Sequence, residues 1–372
     1  MQSIFALTVI LSIKLLHEKF NANQHFCHCY PALAGIPGTE TSIMKTLVTG
    51  ANGFLGSAIM RRLLEAGHEV RVLVRAQSDR RNLNNFPVEI CEGDLRDISS
   101  IKRAVRGCDN LFHAAADYRL WIPDPDSMYA INVIGTQSLI LAAAEAGLKR
   151  IVYTSSVATL GFNPDGSPAD ETTPSSLPSM TGHYKRSKFL AEQAVQQLTD
   201  QHKLSLVIVN PSTPIGPCDI RPTPTGRIVL DTLHGRMPAY VDTGLNIVHA
   251  DDVAKGHLLA FEQGKAGERY ILGGENMSLL QILEIIDGIT GKKLKRLRLS
   301  HNLILPAAWL MEKTAAFTGV EPRATIDGVR MAKKQMFFSS AKAMRELNYR
   351  YRPARDAIKD AILWFCENGY YK

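Results

Sequence analysis

The stretch from Thr49 to Gly56, TGANGFLG, constrains this chain more than any other. Three glycines at GxxGxxG spacing separate a short apolar run, TLVT, from a segment in which Leu55, Ile59 and Leu63 recur at helical spacing. Gly67 ends that helix, and VRVLV follows with Val70, Val72 and Val74 on one face. A strand, a bare turn and a helix in this order aim the N–H groups of a helix N-terminus at open space, which suits a pyrophosphate. A Cβ on the turn would block that approach. Gly56 is expected to let the helix pack closely on the sheet. The pattern predicts a dinucleotide held by Gly50, Asn52, Gly53, Phe54, Leu55 and Gly56.

The alternation continues. VEICEGDL, NLFHAAA, RIVYTSSVATLG and SLVIVNP read as strands, NVIGTQSLILAAAEAG as a long helix, and a further helix starts near Tyr184. Repeated βα units imply an α/β fold: a Rossmann-type doubly wound parallel sheet with a smaller C-terminal substrate lobe. Residues 44–215 form the dinucleotide-binding domain, with a returning segment near 240–275 that includes ERYILGG. Residues 216–372 mainly build the substrate lobe. NPSTPIGPCDIRPTPTGR, with five prolines, reads as an irregular crossover.

Residues 1–43 look foreign to this pattern. IFALTVILSIKLL is too short to cross a bilayer, has no Lys or Arg ahead of it, and lies far from the A-x-A-like Ala32-Leu33-Ala34. The expectation is upstream sequence translated from an early start codon, with Met44 as the natural start and the first 43 residues poorly ordered.

The formal charge of +7 suits an anionic small ligand or a membrane surface as well as nucleic acid. No aromatic-rich basic motif or zinc-finger spacing supports nucleic acid. Six scattered cysteines without a CxxC pair point to no disulfide framework and to a reducing, cytoplasmic setting. Histidines and carboxylates show no ligand spacing, so no metal is expected.

Arg75 ends the second strand, where an acidic residue would bond the 2′-hydroxyl of NAD. A forked cation there suits a 2′-phosphate, so NADP(H) is favoured over NAD(H), with Arg80 and Arg81 adding to the field. A solvated strand-end charge is the competing reading. Asp94, followed by Leu95 in EGDLRD, sits at another strand end, either accepting from the adenine amino group or forming a turn.

YKRSK places Tyr184 and Lys188 at i and i+4 on one helix face. A free phenol ionises near pH 10, too high for easy proton exchange, and a neighbouring ammonium is expected to draw it down. Ser156, at the end of the YTSS strand, would hydrogen-bond the same substrate oxygen.

Together these residues resemble the extended short-chain dehydrogenase/reductase family, from Lys45 almost to the C-terminus. The resemblance implies that Tyr184, Lys188 and Ser156 are the catalytic set, Ser156 being preferred to Ser155 because it precedes Val157. It implies that Asn132 supports the helix beside the site and that Ala114, Ala115 and Ala116 line the inner edge of the cofactor. It also runs Pro211, Ser212 and Thr213 along the nicotinamide. Locally, His113 reads as a satisfied core histidine and Asn132 as a helix cap.

HAAADYRLW, GHYKRSKFLAEQAV and GVRMAKKQMFFSSAKA are most similar to hopanoid-associated sugar epimerases, which are themselves similar to dihydroflavonol 4-reductases. A sugar-type substrate epimerised by hydride transfer at a secondary carbinol is the leading expectation, and a ketone reductase the runner-up. A non-catalytic NADP(H)-sensing scaffold is the third. Val157 and Ala158 stand where a dehydratase carries an Asp-Glu pair, which disfavours dehydration.

Asp117, Tyr118, Arg119 and Trp121 either line the substrate mouth or pack a surface loop. KKLKRLRLS beside HNLILPAAWLMEKTAAF suggests weak peripheral docking on an anionic bilayer, or a solvated strand next to a core helix. A homodimer is implied by analogy with the family.

Overall fold

A computed structural model of the chain describes residues 44–371 except 293 and 323; the expectations for residues 1–43 lie outside the described residues. The apolar runs become strands β1 (Lys45–Thr49), β2 (Glu69–Val74), β3 (Val88–Glu92), β4 (Asn110–His113), β5 (Arg150–Thr154) and β6 (Leu206–Pro211). Helices α1 (Phe54–Glu65), α2 (Ile98–Val105), α3 (Pro125–Glu145) and α4 (Gly182–His202) connect them. Later strands are β7 (Thr213–Ile215), β8 (Ala239–Val241), β9 (Gly244–His249) and β10 (Arg269–Leu272), then β11 (Glu275–Ser278), β12 (Leu297–Leu299) and β13 (Gln335–Met336). Interspersed are α5 (Pro224–Leu233), α6 (Ala250–Gln263), α7 (Leu279–Thr290), α8 (His301–Thr318), α9 (Ile326–Ala332), α10 (Ala341–Glu346) and α11 (Ala354–Glu367).

Seven strands form one parallel sheet in the order β10-β6-β5-β4-β1-β2-β3. Alternate residues of each strand enter different cores. Val48, Val72 and Phe112 meet Ile59 and Leu63 of α1 and Val253 of α6 on one face. Leu47, Leu111 and Ile151 meet Ile101, Leu139 and Val195 of α2, α3 and α4 on the other. Burial on both faces explains why the strands read as continuous apolar runs. The chain order reverses between β1 and β4, and ligands of such sheets bind beyond the strand ends at that reversal.

The returning segment splits. β10 closes the sheet against β6 and α6 packs on α1, but β9 leaves for a second sheet with β7, β11 and β13. That sheet packs on α5, α7 and α11 through Ile247, Val229, Ile282, Ile286, Ile358 and Phe365. The proline-rich crossover is more ordered than expected. Thr213–Ile215 pairs with β9, and Pro224 starts α5, whose cap Thr223 accepts from the Gly226 N–H. Proline suits the first helical turn, where its missing N–H costs nothing. The fifth strand is shorter than its sequence run: it stops at Thr154, and Val157–Thr159 form a 3₁₀ turn. α3 is apolar and long enough to span a membrane but packs against α2 and α4.

Candidate active site

The glycine loop closes the reversal point. Gly50 has φ +77°, and a Cβ there would lie 2.7 Å from the Ala115 nitrogen and 2.9 Å from the Ala114 carbonyl carbon. Thr49 fixes that segment through the Ala114 N–H to its carbonyl (3.2 Å) and the Ala115 N–H to its Oγ1 (3.2 Å). Gly56 meets the same turn from the helix side. Its Cβ would fall 2.1 Å from the Gly50 carbonyl oxygen, so the residue is bare to let the helix close on the backbone that leaves β1. Gly53 caps α1 with no side-chain hydrogen bond, and the first turn carries no acidic residue. The N–H groups at this end therefore suit an anion, and the loop fits a dinucleotide pyrophosphate. Gly56→Ala, pressing on backbone that cannot yield, is expected to cost about 1–3 kcal/mol of stability and to weaken coenzyme binding. Thermal unfolding and a coenzyme titration check it, and wild-type behaviour in both would refute this account of the loop.

The structure adds Asn82, which sequence reading passed over. Its Nδ2 donates to the Cys218 carbonyl at 3.0 Å and to the Asn52 and Gly53 carbonyls at 3.4 Å, tying the loop to the crossover. Asn52 itself reaches the Asp79 carbonyl (3.4 Å), while Phe54 and Leu55 form the first turn of α1.

Arg75 is exposed just past β2, and its guanidinium makes no hydrogen bond or ion pair among the described residues. Arg80 and Arg81 are engaged: Arg80 bonds Glu92, and Arg81 bonds Asp79 at 2.8 Å. Their contribution to a phosphate field is therefore neutralised locally. Asp94 forms the turn that was its competing reading. Its carboxylate accepts from the Arg96 N–H and guanidinium (2.9 and 2.7 Å), which hold its pKa below the usual range, with Arg75 adding to the effect. Leu95 is buried against Gly135.

Catalytic candidates converge from β5 and α4. Ser156 leaves β5 part-exposed with Oγ accepting from the Ala158 N–H (3.1 Å), whereas Ser155 is buried. Tyr184 is part-buried. The packing around its hydroxyl pushes its pKa above the ordinary 10, and a hydrogen bond with Ser156 works the other way. Lys188 is 3% exposed, with Nζ donating to the Thr154 carbonyl at 2.8 Å and to the Tyr153 hydroxyl at 3.3 Å. Burial lowers its pKa to about 8 against the opposing charge of Glu192. The expected acidification of the phenol by Lys188 is thus not what this structure shows. The ammonium is spent on Thr154 and Tyr153, and desolvation of the phenolate dominates.

A buried network supports Ser156. Glu192, one turn after Lys188, accepts from Thr159 Oγ1 (2.9 Å), Asn210 Nδ2 (2.8 Å) and Arg269 (3.1 Å). The same Asn210 Nδ2 donates to the Ser156 carbonyl at 3.1 Å. Glu192 lies at i+4 from Lys188 and i+8 from Tyr184, a spacing that could have singled it out. Asn132 sits in a π-helical turn, Ala130–Gly135, a distortion frequent at functional sites. It brackets Asp117, accepting from its N–H (2.7 Å) and donating to its carbonyl (2.8 Å), and also donates to Ser187 of α4 (3.0 Å). It therefore links the loop that begins at Asp117 to α4 and caps no helix end. His113 bonds Thr49 (2.7 Å) and Thr136 (2.9 Å), and burial holds its pKa at about 3, so it is a neutral core residue.

Past β4, Ala116 and Asp117 lead outward. Asp117 pairs with Arg119, while Tyr118 and Leu120 are exposed. Pro211 ends β6, Ser212 Oγ is buried with no hydrogen-bond partner among the described residues, and Thr213 opens β7. An orphaned buried hydroxyl just past the end of β6 is consistent with a ligand partner.

The sequence profile of the NAD dependent epimerase/dehydratase family matches residues 46–273. A candidate dihydroflavonol 4-reductase of Synechocystis sp. is 46% identical over 87% of this chain and 95% of its own. Sterol demethylase protein B of Methylococcus capsulatus is 37% identical over 88% and 99%. Among solved structures, gox2253 is 54% identical, covering 88% of this chain and 99% of its own with a TM-score of 0.80. A nucleoside-diphosphate-sugar epimerase from Pseudomonas aeruginosa is 28% identical over 88% and 99%, TM-score 0.71.

Proposed function

This chain belongs to the NAD dependent epimerase/dehydratase family, the extended branch of the short-chain dehydrogenases/reductases, and from that premise we propose an NADPH-dependent reductase of a ketone on an apolar or amphiphilic skeleton. The observation that carries this reading is Arg75, which among the described residues forms no ion pair or hydrogen bond through its guanidinium, unlike Arg80 and Arg81, and feels Asp94 only through space. A free fork there favours the 2′-phosphate of a coenzyme that enters reduced and leaves oxidised. An epimerase instead keeps its coenzyme bound and restores it each turnover.

When bound, the coenzyme supplies the hydride. The chain supplies the rest. Gly50, Gly53 and the open end of α1 would hold its pyrophosphate, and Ala114 to Ala116, Lys188, Ser212 and Thr213 would bind the rest of it. Ser156 hydrogen-bonds the carbonyl oxygen as negative charge develops on it, and Tyr184, protonated at neutral pH, gives that oxygen the proton that completes the alcohol, its phenolate then taking a proton from solvent. A phenol held above pKa 10 is in the protonated state that reduction requires. The relatives named for a dihydroflavonol and a sterol support the substrate class. The exposed Tyr118 and Leu120 at the mouth support it too.

Arg75→Gln is expected to weaken NADPH binding roughly 10- to 100-fold, the worth of a charge-assisted phosphate contact, and to leave NADH binding unchanged. Fluorescence titration with both coenzymes reads it out. Equal loss for both, or freshly purified protein carrying NAD that does not exchange, would replace this reading with the sugar epimerase.

A further inference from the structure

Helix α8 is built the wrong way round for a soluble lobe. Of its eighteen residues, Ala308 and Ala315 are the buried ones, so the inward face is small. The outward line carries Leu303, Leu310 and Phe317 at intervals of seven, 68%, 58% and 91% exposed, flanked by Trp309 and continued by Val320. The hydropathy that suggested a core helix therefore points away from the core. Large contiguous apolar surface of this kind marks an interaction site.

The charge beside it is equally uneven. Residues 292–334 hold ten Lys and Arg against three Asp and Glu, which leaves 33 against 33 in the rest of the chain. The whole formal excess of +7 is thus carried by this one stretch. Several of these cations are engaged, Arg296 with Asp287, Arg298 with Asp242 and Arg330 with Asp327. Lys295, Lys313, Lys333 and Lys334 are exposed and make no ion pair among the described residues. Lys313 lies over the Trp309 ring, and Lys333 reaches Asn302 at the start of α8.

We infer that the outward face of α8, with the lysines around it, docks on an anionic lipid bilayer. An apolar ridge bordered by free lysines matches the interface of such a membrane, where acyl chains receive the ridge and headgroups the cations. A second copy of the chain fits poorly, because like patches would bring the same positive charge together. The surface also stands close to the chemistry. α8 packs on α9, and a Cβ at Gly182 would lie 3.2 Å from Asp327 Oδ2 of α9, two residues before Tyr184. Docking would therefore hold the catalytic helix near the bilayer surface. The inference goes beyond the coenzyme reading and does not depend on it.

The test is co-sedimentation of the full chain, without coenzyme, with phosphatidylcholine vesicles containing roughly one-third phosphatidylglycerol, and with phosphatidylcholine alone. Wild type is expected to pellet with the anionic vesicles at low salt and to be released at high salt. L310E/F317E is expected to lose about tenfold or more in partitioning, and K313E/K333E to lose binding to anionic vesicles in the same assay. Thermal unfolding and NADPH titration confirm that both variants fold. Both variants share residues 1–43 with wild type, so pelleting that survives in them places binding elsewhere and overturns the inference. So does an absence of pelleting, or equal, salt-insensitive binding to neutral vesicles. A wild-type dimer that L310E/F317E splits in light scattering would assign the face to a second copy instead.

Discussion

Tyr184→Phe is expected to lower carbonyl reduction by about 10²- to 10⁴-fold, the contribution of a positioned proton donor, while NADPH affinity stays near wild type. The hydroxyl is the one atom removed, and the ring that packs beside Ser156 remains. Burial holds the phenol above its ordinary pKa of 10, with Ser156 partly offsetting the effect. Tyr184 is consequently protonated across the neutral range. The reductive rate should stay flat through neutral pH and fall only as the medium passes that raised value and removes the donor. The reverse oxidation needs the ionised phenol and should climb with pH over the same range. Stopped-flow rates in both directions, against pH, separate these limbs, and the Phe variant should show neither. Wild-type turnover in the Phe variant would remove Tyr184 as the proton donor, whereas coenzyme binding with no turnover in either protein would leave the chain as a coenzyme-sensing scaffold.

What the sequence revealed about this site follows from which features are local. Gly50 and Gly56 are demanded by backbone approaches within a few residues or one strand away, and the GxxGxxG spacing records them. Tyr184, Lys188 and Ser156 are likewise visible because a helix repeat and a strand end place them. Helical spacing fixes a face but not where a long side chain ends, which is why Lys188 Nζ is found on the Thr154 carbonyl. Arg80 and Arg81 looked like free cations because their partners, Glu92 across to β3 and Asp79 in the turn, depend on side-chain direction. Asn82 and Asn210 gained their roles through partners 136 and 54 residues away, for which no short pattern exists. α8 shows a further limit. Its apolar composition is plain, but only the tertiary arrangement shows that alanine faces inward and leucine outward.

Lys188→Met should change how stability depends on pH, because it removes a buried titrating group. In wild type the ammonium is 3% exposed, and burial lowers its pKa from 10.5 to about 8 although Glu192 opposes the shift. The unfolded chain therefore binds this proton more tightly than the folded one. Below pH 8 the folded protein carries the full cost of a buried charge. That cost disappears as pH rises from 8 to 10.5, because the folded state gives up the proton first. Methionine has nothing to titrate, so wild type should gain about 3 kcal/mol relative to the variant across that window, on 1.36 kcal/mol per unit. Groups common to both proteins, Lys185 among them, cancel in the difference. The absolute offset also includes the Thr154 carbonyl and Tyr153 hydroxyl left without their donor, so the slope and not the sign at one pH is diagnostic. Urea unfolding of both coenzyme-free proteins at the two ends of the window measures it. A difference that stays constant with pH would mean that Lys188 is as well solvated folded as unfolded. The ammonium held on the Thr154 carbonyl would then not be a desolvated group.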